Sequence, residues 1–191
     1  MVKEKESMVA LKKGSSAPIK DGWQQLLVDL DWGDNPRDLD LAALFIKEDG
    51  TQRLIFFNDK GDKDANPMAV LSADAGVGGS VDEGGNRETM KILNLSGVKE
   101  VLILGWDWDR LTEGAPADFK STPFHLTVKD NTGDSHDCTM TAGDLANVSL
   151  IGRIKNSPIG AEFINEDRGT MLKGVPDKSE ELAQILVTAF A

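Results

Sequence analysis

Asp38 and Asp40, one leucine apart in RDLDL, and the seventeen residues SADAGVGGSVDEGGNRE (72–88), with five glycines and four carboxylates, are where this chain could do chemistry. In a strand alternate residues share a face, so Asp38 and Asp40 project together while Leu39 and Leu41 go the other way. Like charges that close repel unless a cation or hydrogen-bond donors lie between them. The glycine-rich segment adds Asp74, Asp82, Glu83 and Glu88, with Asn86 as a neutral oxygen donor. Hard oxygen groups in such number suit calcium, which takes about six to eight of them with tolerant geometry, whereas magnesium demands a tighter octahedron. The glycines let the backbone fold sharply enough for these groups to converge. The residues alone leave two readings of this segment open: a cation-binding loop, or an acidic loop facing solvent.

Other chemistries lack their parts. Gly76, Gly78 and Gly79 do not make a dinucleotide fingerprint, because Val81 stands at the last glycine position, and no Gly-Lys-Ser/Thr follows a glycine-rich loop. Asp62, Asp64 and Asn66 imitate the first ligands of an EF-hand. Pro67 and Ala73, however, replace its glycine and its bidentate glutamate. The segment NDKGDKDANP (58–67) is therefore expected to be a solvated loop with Asn58, at its start, the functional member. His136 and Cys138 make a poor zinc pair without further His or Cys. The expectation for them is a surface histidine and a half-buried thiol. With two histidines in all and no nucleophile elbow, a Ser or Cys nucleophile has no evident base.

Composition narrows the classes further. A formal charge of -11, from 21 Lys and Arg against 32 Asp and Glu, argues against nucleic acid as a partner and favours cations or basic surfaces. No apolar run is long enough to span a bilayer, and MVKEKESM lacks the apolar centre of a signal peptide, so membrane insertion is not expected and a cytoplasmic location is. One cysteine gives neither a disulfide framework nor a redox pair. A chain of 191 residues without a Ser/Pro/Gly-rich linker reads as one domain.

The elements that must position these residues read as strands nearly throughout. They are 26–30, 38–46, 53–57, 68–71, 89–95, 100–106, 124–128 and 148–154, with hairpin turns at Glu48-Asp49-Gly50 and Asp130-Asn131-Thr132-Gly133. Strands at such spacing predict a β-sandwich of two mainly antiparallel sheets. A short C-terminal helix is expected to cover an open end, with Asp177 and Glu180 as a capping box. Leu182, Ile185, Leu186, Ala189 and Phe190 then lie on one face. In GWDWD, Trp106 and Trp108 alternate with Asp107 and Asp109, which predicts one pair inward and the other outward, the tryptophans as core. A faint echo relates LLVDLDWGD…DLDLAALFI…EDG to VLILGWDWD…FHLTV…DNTG, and it would place corresponding strands in different sheets.

Read together, ALKKG (10–14), LLVDLDWGD, DLDLAALFIKEDG, LIFFN, the acidic glycine loop and ETMKILNL resemble, in order and spacing, the TerD family of tellurium-resistance and general stress proteins. The likeness covers roughly residues 8–130. It implies a cytoplasmic β-sandwich that binds one or two calcium ions through acidic loops. Asp38 and Asp40 match the family's DLD, Asn58 the Asn after its aromatic pair, and Asp74 the Asp of its Gly-Asp-Asn, here flanked by Ala73 and Ala75. The family's closing Asp-Asp-Glu stands as Asn86-Arg87-Glu88. A guanidinium there opposes a dication unless it points outward or pairs with a carboxylate. Asp82 and Glu83 are placed to take over the lost acidic roles.

The expected protein is thus an all-β sandwich over residues 8–191, with residues 1–7 as an extension, acting as a non-catalytic, calcium-binding stress-response module with a protein partner. The ligand set is Asp38, Asp40, Asn58, Asp74, Asp82, Glu83, Asn86 and Glu88. A metal-independent interaction or assembly module and, behind it, a carboxylate-dependent metallohydrolase are the alternatives.

Overall fold

The computed structural model describes residues 7–83, 85–119, 124–139, 145–176 and 178–191. Among them run β1 (Ser7–Ala10), β2 (Ser16–Ile19), β3 (Leu26–Gly33), β4 (Leu39–Lys47), β5 (Gln52–Ile55), β6 (Gly61–Asp62), β7 (Ala69–Leu71), β8 (Asn86–Ile92) and β9 (Val98–Asp107). There follow α1 (Trp108–Glu113), β10 (His125–Asp130), β11 (Asp134–Thr139), β12 (Val148–Ser157), β13 (Gly160–Thr170) and α2 (Ser179–Phe190). They form a seven-stranded sheet, β1-β11-β10-β3-β8-β7-β6, and a six-stranded sheet, β2-β13-β12-β9-β4-β5. Pairing is antiparallel except between β1 and β11. The expected β-sandwich with a short C-terminal helix is the fold observed.

Two kinds of strand follow from two kinds of sequence. In β3 the alternation in LLVDLDWG buries Leu26, Val28, Leu30 and Trp32 and leaves Leu27, Asp29 and Asp31 half-buried, as expected of a sheet with one covered face. β4 and β9 do not alternate, because both their faces are covered. Leu41, Ala43, Phe45, Val101 and Ile103 pack into the core between the sheets. Ala42, Leu44, Leu102, Leu104 and Trp106 join a second core on the outer face, under α2. The helix therefore lies over the outside of the six-stranded sheet rather than over an open end. Leu182, Ala183, Leu186 and Phe190 are buried while Ile185 is exposed. Its N-cap is Lys178, without a side-chain cap, and Asp177, the expected capping residue, lies outside the described residues. Glu180 and Glu181 in the first turn complement the helix dipole instead.

Both predicted hairpin turns are present, with Gly50 at φ 82° and Gly133 at φ 99°. The echoed units, β3 with the β4–β5 hairpin and β9 with the β10–β11 hairpin, start in opposite sheets, and the first strand of each pairs with the hairpin of the other, β3 with β10 and β9 with β4. Beyond that they diverge, for β8 flanks β3 after β7 whereas β12 flanks β9 before β13.

Three local expectations are corrected. Strand β9 ends at Asp107 and α1 begins at Trp108, so the Trp/Asp alternation fails. Trp106 and Asp107 are both buried, Trp108 is partly so, and Asp109 is exposed. His136 is a core residue rather than a surface one, its ring stacked on Phe163 with centroids 6.3 Å apart. Cys138 is fully buried, and burial pushes its thiol up to about 12.

Candidate metal centre

The site is built where β4 loses a neighbour. β5 pairs with β4 only as far as Ala43 opposite Ile55, after which the chain turns away through backbone hydrogen bonds between Phe56 and Asp59. Beyond that pairing the Leu41 N–H donates to Glu88 Oε2 at 2.7 Å, reaching across from β8 in the other sheet. Strand β8 begins at Asn86, three residues earlier than the sequence predicts. That start puts Asn86 and Glu88 on its buried face and Arg87 on its exposed one. Glu88 Oε1 accepts from Ala75 N at 3.3 Å. One carboxyl group therefore ties the first residues of β4 to the glycine-rich loop.

The loop is closed at its base by Ser72 N to Thr89 O at 2.8 Å and Thr89 N to Ser72 Oγ at 3.0 Å. Its path then needs glycine at specific places. Gly76 has φ 75°, and a Cβ there would stand 2.9 Å from Arg37 O and 3.1 Å from the Trp32 ring; at Gly79, φ 76°, a Cβ would stand 3.0 Å from Pro36 O. Packed down in this way, the loop offers the Gly78 N–H to Asp38 Oδ2 at 3.0 Å. Asn86, wholly buried, fixes the far side: its Oδ1 accepts from Asp82 N at 2.9 Å and its Nδ2 donates to Ser80 O at 2.8 Å.

Between these anchors Asp38, Asp40 and Asp74 each bring a carboxylate oxygen to within 4.8 Å of the other two. Asp38 is 8% exposed and Asp40 3%. The hydrogen bonds leave a pattern. Asp38 uses Oδ2 for Gly78, and Asp40 uses Oδ2 for the Trp106 indole N–H at 2.8 Å. Asp74 Oδ1 is shielded from solvent and accepts no hydrogen bond from a donor, although Asp74 as a residue is only partly buried and its carboxyl lies close enough to Glu88 to share a proton with it. The electrostatics agree with the geometry. Burial, then the neighbouring Glu88, Asp74 and Asp38, push Asp40 up to about 9. Burial likewise raises Glu88 to about 8, and Asp38 lies above the ordinary carboxylate range chiefly through desolvation. Asp38, Asp40 and Asp74 are a possible site for a hard cation, whose charge would favour the ionised form of Asp40 over the protonated form that burial favours.

The structure thus brings together four of the eight residues expected from sequence, three as candidate ligands and Glu88 as the clamp that aligns them. Asp82 and Glu83 are exposed on the loop, away from the group, so they do not replace the lost acidic positions. Asn86 serves the loop backbone, and Asn58 is exposed in the turn after β5. Arg87 points outward and pairs with Asp31 through Nε at 3.1 Å and through a second, closer guanidinium contact. Sequence reasoning missed Trp106 and Arg37. The indole supports Asp40. Arg37 pairs with Asp107 Oδ2 at 3.0 Å while also donating to Ala117 O, and Asp107 caps α1 through Arg110 N at 3.0 Å. Only the pairing of β4 with β9, Asp40 opposite Trp106 and Leu39 opposite Asp107, reveals these roles.

A cleft of about 250 Å³ opens beside Asp38, between Arg37, Asp107, Asp109 and Arg110. A larger groove of about 870 Å³ runs along β2, β12 and β13 and shares no residue with the acidic group; its walls mix Lys20, Lys99 and Lys155 with Asp21, Glu100 and Glu162.

No protein-family model matches the chain, and no curated protein matches it. Solved structures do. The unknown-function protein SAV2460 is 14% identical, at a TM-score of 0.55 over 78% of this chain and 94% of its own. A homologue of the telluride resistance protein TerD, from Streptomyces coelicolor A3(2), is 14% identical, at a TM-score of 0.54 over 85% of this chain and 96% of its own. At that identity the likeness concerns architecture, and this chain has the fold of the TerD homologue.

Proposed function

We propose that this protein is a non-catalytic, calcium-binding module of the TerD type that acts in a stress response by presenting an ordered acidic end to a partner. The observation that carries the reading is the convergence of one carboxylate oxygen each from Asp38, Asp40 and Asp74 to within 4.8 Å of one another, with Asp74 Oδ1 a shielded acceptor that no donor satisfies. A buried acceptor without a donor is costly, and a dication relieves it together with the repulsion among its neighbours. Calcium is preferred over magnesium because the three oxygens come from a strand and a loop rather than from a tight octahedral cage, and water or a partner's oxygens can fill the rest of a large coordination sphere. When bound, the ion supplies charge neutralisation; Asp38, Asp40 and Asp74 hold it and Glu88 keeps β4 and the loop together.

The name of the TerD homologue refers to telluride resistance. Reduction of an oxyanion by this chain itself would need a thiolate or redox group, and its single cysteine is buried with its thiol pushed up to about 12. Binding is therefore the reading favoured over catalysis. One observation supports a second reading, a module that works without metal: with Asp40 at about 9 and Glu88 at about 8, two of the clustered carboxyls keep their protons at neutral pH and lower the repulsion unaided.

Thermal unfolding of chelator-treated protein, with and without calcium or magnesium, separates the two. A calcium-induced rise in melting temperature that disappears in Asp38→Ala and Asp74→Ala is expected. A parent protein whose melting is indifferent to calcium leaves the metal-independent reading.

A further inference from the structure

Val77 and Val81 stand 58% and 46% exposed on the glycine loop, on either side of the turn in which Gly78 donates to Asp38 Oδ2. Leu145, 76% exposed, belongs to the same end, since its neighbour Ala146 accepts from Ala117 N, and Ala117 in turn accepts from Arg37, next to Asp38. Val77 and Val81 thus flank the turn that bonds to the acidic group, and Leu145 is linked to it only through the Ala146, Ala117 and Arg37 contacts. Isolated exposed valines need no explanation, but apolar tips rimming a charged recess mark a contact surface. Three carboxyl groups converge there, calcium takes about six to eight oxygens, and a cleft of about 250 Å³ lined by Asp38 opens to one side, so a ligand's anionic oxygen can add to those the chain supplies.

We propose that the cation-loaded end docks on an anionic phospholipid membrane, a headgroup phosphate or carboxylate completing the coordination sphere while Val77 and Val81 enter the interfacial region. The proposal rests on the cation reading above. Charge decides the condition: a chain of net charge -11, with Asp82 and Glu83 exposed beside Val81, is repelled by an acidic bilayer until a dication neutralises this end. Apolar tips distinguish this occupant from a soluble phosphate-bearing molecule, which would use the ion but gain nothing from the valines. No helix among the described residues is long and apolar enough to cross a membrane, and the contact inferred is peripheral.

The test is co-sedimentation of the full chain with vesicles of phosphatidylcholine alone or of equimolar phosphatidylcholine and phosphatidylserine, in calcium or chelator, with calcium binding measured in parallel by calorimetry. Expected is sedimentation only with phosphatidylserine and calcium, weakened about tenfold in the Val77→Ser, Val81→Ser double variant, whose calcium heat and melting temperature stay at the parent's values. Calcium heat without sedimentation overturns the docking and spares the cation reading. Sedimentation equal in parent and double variant also overturns it, as does calcium-dependent binding of soluble O-phosphoserine without vesicle binding. Absence of calcium heat removes the cation reading, and the docking with it.

Discussion

Both oxygens of Glu88 are taken by backbone amides from separate segments, Leu41 of β4 and Ala75 of the loop, which makes this carboxyl the point where strand and loop are held in register. In Glu88→Gln one oxygen becomes an NH₂ that cannot accept from a backbone N–H. The variant is expected to lose about 1–3 kcal/mol in urea denaturation of the chelator-treated protein. Titration gives a second expectation at this scale. Asp40 at about 9 and Glu88 at about 8 lie above the ordinary carboxylate range, so the folded state holds protons that the unfolded chain has released. Their contribution to stability is complete below that range and is lost as pH rises toward 8–9. The melting temperature of metal-free protein should therefore fall between about pH 5 and pH 9, and the gain from calcium should grow across that window, because the ion favours the ionised forms. Asp38, Asp40 and Asp74 were legible in the sequence because strand alternation and a glycine loop are local signals. Asp82, Glu83 and Asn86 lie outside that group because residues four to eight positions after the turn at Gly78 face it only if the loop curls inward. Here it is pinned flat by Asn86 to Ser80 and Asp82.

Among the elements, the 72–88 loop depends on glycine for two different reasons. At Gly76 both apply: φ is 75° and an added Cβ would meet Arg37 O at 2.9 Å, whereas Gly78 has φ 63° but open space around it. Gly76→Ala should cost about 2–4 kcal/mol and weaken calcium binding, while Gly78→Ala should cost about 1 kcal/mol; equal effects in denaturant titrations would contradict the packing described. Helix α2 acts on the site at one remove, by covering the outer face of the strand that carries Asp40. Leu186 is fully buried there, and Leu186→Ala should destabilise by about 2–4 kcal/mol. The apolar runs of β4 and β9 read simply as strands, and their lack of alternation is explained by cover on both faces. What covered the second face was not legible, since periodicity shows which side of a helix is apolar but not which surface receives it. Likewise β1 and β2, four residues each, are too short to show a period, and β11 and β13 interleave apolar with charged and polar residues; β1 and β2 take strand geometry by pairing along β11 and β13.

At the scale of the whole molecule, two sheets meet at an acidic end, and the ion is expected to act as a fastener between them: Asp38 and Asp40 belong to the six-stranded side, Asp74 and Glu88 to the loop and strand of the seven-stranded side. Calcium at about a hundred times its dissociation constant adds about 2.7 kcal/mol to the folded state, which in a chain of this length raises the melting temperature by about 5–10 °C. The sandwich was legible from strand spacing and turn chemistry, and the net charge from composition, but the convergence of oxygens from both sheets is a product of register and long-range pairing. Calorimetric titration of chelator-treated protein with calcium tests that convergence most directly. Saturable binding that vanishes in Asp74→Ala is the result expected. No heat at any calcium concentration, with Asp74→Ala as stable as the parent, would contradict it.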